Sequence, residues 1–389
     1  MEHTLLSNAA VVLPDRVLPG HSVLLGDGLI LTVAPDATLK PPAGTHVIDV
    51  GGRWVGPGFV DLHCHGGGTA WFHDDPGRAA EHHLRHGTTA MLATTLLYPT
   101  HAENVAAVAC IARALRAGDA RNVVGINMEG PYLNPDLGAF HDRSRIPDPV
   151  EYLEFVQAGD GWLRWMTIAP ELPGTAQMLH DLQVATGGAM VFSVGHSKAS
   201  MDEIRPLIGA GLRMATHVTN ATGSEFEPSR WAGTREVGLD EAVLLEDGIV
   251  AEVIADSGGC HVRPDMLRLL HKVKGRDGLV LVTDAVAADP GFIHDPDRPD
   301  LNFTDGGLAG SHLTMDAAVN NFVRHTGYGI VAAWRLASYV PAAAMGQLAR
   351  FGWIAPGRRA DLIVASGGFD TPLAVEQVWL GGQQLRWKP

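Results

Sequence analysis

Cysteine is scarce. The chain has 389 residues and three cysteines, Cys64, Cys110 and Cys260, too few for a disulfide framework and without the Cys-x-x-Cys of a structural zinc site. A reducing, cytoplasmic compartment is expected. No run of about 18 apolar residues occurs, so no membrane-spanning helix is expected. The opening Met1-Glu2-His3-Thr4 has no basic region and no apolar stretch behind it, so no secretory leader is expected. Basic residues are the minority: 29 Lys and Arg against 43 Asp and Glu give a formal net charge of −14. That argues against a nucleic-acid binder, which needs a basic face, but leaves room for a small anion held by a few local cations. Low-complexity tracts and short repeats are absent. A dinucleotide-binding unit would open its first helix with Gly-x-Gly-x-x-Gly, which Gly66-Gly67-Gly68 does not fit. A serine hydrolase would carry Gly-x-Ser-x-Gly, and Gly310-Ser311-His312 lacks the closing glycine.

What is present is apolar, glycine-rich and unusually rich in histidine. Hydrophobic residues make up 46% and charged residues 19%, so disorder is excluded and a large core can be buried. The 46 glycines and 24 prolines suit many tight loops. The 19 histidines point toward a metal enzyme. Residues 1–54 read as short strands and turns, with Gly26-Asp27-Gly28 as a hairpin signal. From residue 55 short apolar runs alternate with helix-like stretches. The runs are 59–62, 90–94, 123–128, 164–168, 190–194, 213–216, 249–254 and 279–282; amphipathic segments include 102–117, 175–186 and 266–272. Such alternation implies a parallel sheet covered by helices, and eight units fit a closed (β/α)8 barrel of TIM type. A doubly wound open sheet is the alternative. After residue 346 strands return at 361–365, 375–379 and 384–387. The expected fold is therefore α/β: a barrel over 55–345 with a small β-sandwich domain built from 1–54 and 346–389.

Polar, metal-binding residue types gather where the apolar runs end, which is where barrel enzymes carry their sites. His63 and His65 flank Cys64 after the first run; on a strand, residues two apart face the same side, and imidazole suits zinc, iron and related metals. Two ordinary polar residues at a strand end would look the same. Glu129 follows the third run, and alone would equally suit a loop acid capping a helix. His196 and His217 end the fifth and sixth runs; singly, each reads as a hydrogen-bonded structural histidine. Asp284 ends the eighth, where an N-cap is the plain alternative. Taken together the six form one site of borderline nitrogen and hard oxygen donors with an incomplete shell, as in hydrolytic metal centres.

At this point the chain resembles the N-acetylglucosamine-6-phosphate deacetylase family of the amidohydrolase superfamily. The resemblance rests on an ordered set of segments: Pro57 to Gly66, His86-Gly87-Thr88-Thr89, Glu129-Gly130-Pro131-Tyr132-Leu133-Asn134-Pro135, Gly195-His196-Ser197, Thr216-His217 with Asn220-Ala221, and Val282-Thr283-Asp284-Ala285. Leu308-Ala309-Gly310-Ser311-His312-Leu313-Thr314-Met315, Pro341 to Gly346 and Pro356 to Leu362 complete it. It implies that Glu129, His196 and His217 hold a principal divalent metal, zinc or iron. His63 and His65, with Glu129 and Asp284, would hold a second in members that keep the pair. It further implies that Asp284 relays a proton from water to the departing amine. His141, Asn220, Ala221, Arg235, His261, Leu308, Ala309 and Gly310 fall at substrate-binding positions, Arg235 and His261 toward phosphate. A homodimer and an amino sugar phosphate substrate are implied as well.

The departures from the family pattern lie on the substrate side. Thr222 follows Asn220-Ala221, the stretch 223–234 is long, Ser257-Gly258-Gly259-Cys260 lengthens the segment before His261, and Leu137-Gly138-Ala139-Phe140 stands where lysines are usual. Arg230 rivals Arg235 for the phosphate. The expected activity is hydrolysis of N-acetylglucosamine 6-phosphate. The alternatives are a galactosamine phosphate, an unphosphorylated sugar, another N-acyl amine, or a barrel that serves as a scaffold without catalysis.

Overall fold

The eight apolar runs become eight parallel strands. The structure, a computed structural model, describes residues 3–139, 141–222, 237–304, 307–368 and 371–387, with His141 and His294 described by backbone only. Strands Phe59–Asp61, Thr88–Thr95, Val123–Glu129, Leu163–Ile168, Val191–Val194, Leu212–Ala215, Val250–Ile254 and Leu279–Val282 hydrogen-bond to one another in chain order. This is the sheet order of a barrel, and a doubly wound sheet, whose strand order reverses midway, is ruled out. Backbone hydrogen bonds bring its ends together. Asp284 N donates to His63 O at 2.9 Å, and His65 N and Gly66 N donate to Ala285 O at 2.8 and 3.0 Å. The strands are buried along nearly their whole length, as expected for parallel sheets covered on both sides.

Helices lie where the amphipathic segments predict them, at His101–Ala117, Thr175–Ala185 and Pro264–Lys274. The first is bounded by local chemistry. Thr100 and Glu103 form a reciprocal capping box, and Gly118 ends the helix at φ 79°, a left-handed cap that glycine adopts without a Cβ penalty.

Two compact units divide the chain: Met1–Asp61 with His82–Ala90 and Thr314–Pro389, and Leu62–Glu81 with Met91–Leu313. In the first, strands from both termini form one mixed sheet in the order Gln383–Gln384, Ala374–Leu380, Leu362–Ser366, Trp54–Pro57, His3–Val12, Val17–Gly26, Leu29–Pro35, with His46–Asp49 alongside His3–Val12. Asp27 and Gly28, at φ 51° and 78°, make the expected two-residue hairpin. The termini meet at Val55, which pairs with Val11 on one side and Val364 on the other. These three pack with Leu6, Val23, Leu25, Leu362 and Trp379 in one apolar cluster. The last strand, expected over 384–387, is confined to Gln383–Gln384.

Two features of the second unit were not legible. An antiparallel ribbon of Ile293–Asp295, Arg298–Thr304 and Gly307–Ser311 follows the eighth barrel strand, and Gly66–Gly67 pairs with Ala70–Trp71. The ribbon's sequence is rich in Asp and Pro, residues depleted in strands, so it reads as loop. No described helix is long and apolar enough to cross a membrane.

Candidate metal centre

All six expected site residues stand just beyond barrel strands or at a strand's last position. His63 and His65 follow Phe59–Asp61, Glu129 closes Val123–Glu129, and His196, His217 and Asp284 each come two residues after a strand. The last three share a rare backbone conformation, with φ of 46°, 26° and 49°. Non-glycine residues seldom occupy this region, and each such position costs about 1–3 kcal/mol. The turn takes the chain out of the strand direction at the residue whose side chain is needed. Gly195 makes room for it: a Cβ there would come within 2.6 Å of Thr216 Cβ.

The side chains converge. Glu129 Oε1 lies 2.9 Å from His196 Nε2 and 3.1 Å from His217 Nε2, and the two imidazole nitrogens are 3.1 Å apart. On the other side, Glu129 Oε2 lies 3.1 Å from His65 Nε2 and 3.5 Å from His63 Nε2. Asp284 Oδ1 stands 3.2 Å from His65 Nε2 and 3.5 Å from His63 Nε2. Two groups therefore present three donor atoms each within ion-binding distance, His63–His65–Glu129 and Glu129–His196–His217, with Glu129 common to both.

Burial by itself pushes these imidazoles down and these carboxylates up. Mutual attraction outweighs it in every case resolved. His63 is held well above its ordinary value by Glu129, Glu252 and Asp284, and His65 and His217 are raised by the same carboxylates, Glu129 and Asp284. Glu129 is held well below the usual carboxylate range by His63, His196 and His217. Asp284 is lowered by His65 and His63. Positive charge in this pocket is thus strongly favoured, whether brought by protons or by a cation.

The donor set fits a divalent metal. His217 Nδ1 lies 2.9 Å from Asn220 O and His63 Nδ1 lies 3.0 Å from Glu252 Oε2. Both partners are acceptors, so both Nδ1 atoms carry hydrogen, and in the neutral rings both Nε2 lone pairs face the centre. His196 Nε2 stands 3.1 Å from His217 Nε2 and 2.9 Å from Glu129 Oε1, so three potential donor atoms crowd one point. Donors held by zinc at about 2.0–2.1 Å stand about 3.3 Å apart along a tetrahedral edge, close to the spacing found. Beneath them, hydroxyls of Thr167, Ser193 and Thr216 link up at 2.6–2.9 Å.

A cavity of about 530 Å³ opens over this centre. His65, Glu129, His196, His217 and Asp284 line it, and so do the expected substrate residues Asn220, Ala221, Leu308, Ala309 and Gly310. His63 is fully buried behind them. His261 is not in the lining. It is buried with Nδ1 3.1 Å from Asp256 Oδ2. Asp256 also accepts hydrogen bonds from the backbone N–H groups of Gly258, Cys260 and His261 at 2.8–3.0 Å. Against the upward push of burial, His261 and these amides hold the Asp256 carboxyl at about 2. Arg235 and Arg230 lie outside the described residues, as does the side chain of His141. Among the described residues the lining contains no Lys or Arg, and Lys198 Nζ is engaged by Asp136, 3.0 Å away at the cavity edge.

One buried partner of the site was missed by sequence reasoning. Glu252 lies within the seventh strand, fully buried against His63. Its signal was a lone acid inside the apolar run 249–254.

The amidohydrolase family model matches residues 54–385. N-acetylgalactosamine-6-phosphate deacetylase of Escherichia coli O157:H7 is 29% identical, covering 94% of this chain and 95% of the relative. N-acetylglucosamine-6-phosphate deacetylase of Haemophilus influenzae is 29% identical, covering 92% and 94%. Among solved structures, a variant of N-acetyl-D-glucosamine-6-phosphate deacetylase from Mycobacterium smegmatis, in complex with N-acetyl-D-glucosamine-6-phosphate, is 31% identical. It superposes with a TM-score of 0.84 over 99% of both chains.

Proposed function

The chain belongs to the amidohydrolase family, and we propose that it removes the acetyl group from an N-acetylated amino sugar phosphate, giving acetate and the free amine. The observation that carries this reading is the convergence of Glu129, His196 and His217, with Asp284 beside them, at the floor of the cavity. Glu129, His196 and His217 would hold a principal divalent ion, zinc or iron. His63 and His65 with Glu129 and Asp284 would hold a second. Such an ion supplies Lewis acidity toward the amide carbonyl and brings the pKa of water to about 7.

The chain's own residues do the rest. Asp284 is ionised at neutral pH, because its histidine neighbours lower its pKa. It takes the proton of the attacking water at a carboxylate oxygen. As the C–N bond breaks, it returns that proton to the sugar nitrogen, so that a neutral amine departs rather than an amide anion. His65, 3.2 Å from Asp284 Oδ1, orients the carboxylate between these two tasks. Leu97, Leu133 and Phe292 give the lining an apolar stretch beside these polar groups. Asn220, Ala221 and Leu308 to Gly310 would contact the sugar, with His141 near it. Arg235, or its rival Arg230, would meet the phosphate together with His261, in a cytoplasmic homodimer whose subunits share these residues.

The test is acetate release from the 6-phosphates of N-acetylglucosamine and N-acetylgalactosamine, and from N-acetylglucosamine itself, by protein reloaded with zinc or iron. The expected result is a strong preference for a phosphorylated sugar, with Arg235→Ala raising KM for that substrate alone. The departures from the family pattern at Thr222 and in Ser257-Gly258-Gly259-Cys260 favour a second reading, deacylation of a neutral N-acyl amine. Turnover of the neutral sugar without a phosphate preference would select it.

A further inference from the structure

Glu252 has no part in the ligand set, yet its position serves that set. The residue sits mid-strand in Val250–Ile254, where every other residue is Val, Ala or Ile, paired in register with Val280. It is fully buried. An ionisable side chain here is costly unless hydrogen bonds compensate it. Its Oε2 contacts His63 Nδ1 at 3.0 Å, and Oε1 has no hydrogen-bond partner among the described residues. Among the described residues, the hydrogen-bond partner of the carboxylate is therefore His63.

We infer that Glu252 is a positioning residue: its carboxylate accepts the Nδ1 hydrogen of His63 and thereby holds the Nε2 lone pair of that ring toward the second ion position. The need for it follows from what surrounds Nε2. Glu129 Oε2 and Asp284 Oδ1 both lie 3.5 Å away. Without an acceptor at Nδ1, the ring is better satisfied as the other tautomer, with its hydrogen on Nε2 donated to one of these carboxylates. That hydrogen would occupy the place an ion needs. Glu252 settles the choice between the neutral tautomers, because only the Nδ1–H form both donates to Glu252 and leaves a lone pair for an ion. The principal position is insulated from this effect. His217 is oriented separately, by Asn220 O at 2.9 Å, and His196 Nε2 faces Glu129 Oε1 and His217 Nε2 at 2.9 and 3.1 Å.

This inference rests on the reading that His63 helps to bind an ion, and the experiment separates the two. Metal-free wild type, Glu252→Gln, Glu252→Leu and His63→Asn are titrated with zinc in competition with a chromophoric chelator, and the melting temperatures of the metal-free forms are measured alongside. Two zinc ions are expected in the wild type and one in His63→Asn. Glu252→Gln keeps an acceptor oxygen without the charge and should weaken only the second ion, about 10-fold. Glu252→Leu should weaken it about 100-fold, the range over which lost orienting partners of metal-bound histidines act. An unchanged second-site affinity in Glu252→Gln and Glu252→Leu overturns the positioning role while the ligand reading stands. Equal weakening of both sites marks a merely structural role and also overturns it. A single ion in the wild type, or a second one indifferent to His63→Asn, removes the ligand reading and this inference with it. Should the leucine variant fail to fold, the isosteric glutamine variant carries the measurement alone.

Discussion

Replacing Asp284 by asparagine tests the proton relay directly. The amide has the shape of the carboxylate and can still face His65 Nε2, 3.2 Å from the present Oδ1, so packing is retained. What disappears is basicity. His65 and His63 keep the Asp284 carboxyl below its ordinary value, so the wild-type group is an ionised proton acceptor throughout the neutral range, and an amide accepts no proton there. General acid–base catalysis is worth about 10²- to 10⁴-fold, or roughly 3–5 kcal/mol of barrier. Because one side chain serves as both base and acid, we expect kcat for acetate release to fall by about 10³-fold or more. The Glu129–His196–His217 group does not include Asp284, so the principal ion should remain. The assay is acetate production by zinc-loaded Asp284→Asn, with bound metal quantified by mass spectrometry and folding followed by thermal melting. Turnover within tenfold of wild type, in a folded variant carrying its principal ion, would refute the relay.

Three further outcomes are expected. Gly195→Ala places a Cβ 2.6 Å from Thr216 Cβ, and overpacking of this kind costs about 1–3 kcal/mol; urea unfolding should show it, with weaker zinc binding because His196 is displaced. Asp256, held at about 2 rather than its ordinary 3.8, contributes stability that is present above pH 4 and lost as pH falls toward 2. Asp256→Asn should therefore cost about 2 kcal/mol at pH 7, and the gap from wild type should close between pH 4 and 2 in a pH series of urea titrations. Chelation should lower the melting temperature, and zinc at 100 times its dissociation constant should restore about 2.7 kcal/mol; in His196→Ala combined with His217→Ala the zinc response should largely vanish.

Much of this protein was legible because barrel construction is local and periodic. Each apolar run from 59–62 to 279–282 became a strand, and each expected ligand lay at or just past a strand end, so a reading in one dimension found His63, His65, Glu129, His196, His217 and Asp284. The ribbon over Ile293–Asp295, Arg298–Thr304 and Gly307–Ser311 escaped because its Asp and Pro residues signal loop, while its pairing depends on partners elsewhere. It still places Leu308, Ala309 and Gly310 in the cavity wall, where resemblance alone had set them. Glu252 escaped for the opposite reason: a lone acid within an apolar run says nothing about what it faces, and its partner is 189 residues away.

The sequence by itself determined which residue types end each strand, because the alternation of apolar runs and amphipathic segments is written in consecutive residues. It therefore pointed to the barrel, the union of both termini in one β domain, and the chemical character of the centre. Only the tertiary structure decided how four histidines from distant strands share one Glu129. It also decided that left-handed backbone turns His196, His217 and Asp284 inward, that Asp256 gathers the loop before His261, and that Glu252 stands behind His63. Those outcomes depend on distances across a nearly closed ring of strands, and such distances exist only once His63 and His65 have met Asp284 and Ala285.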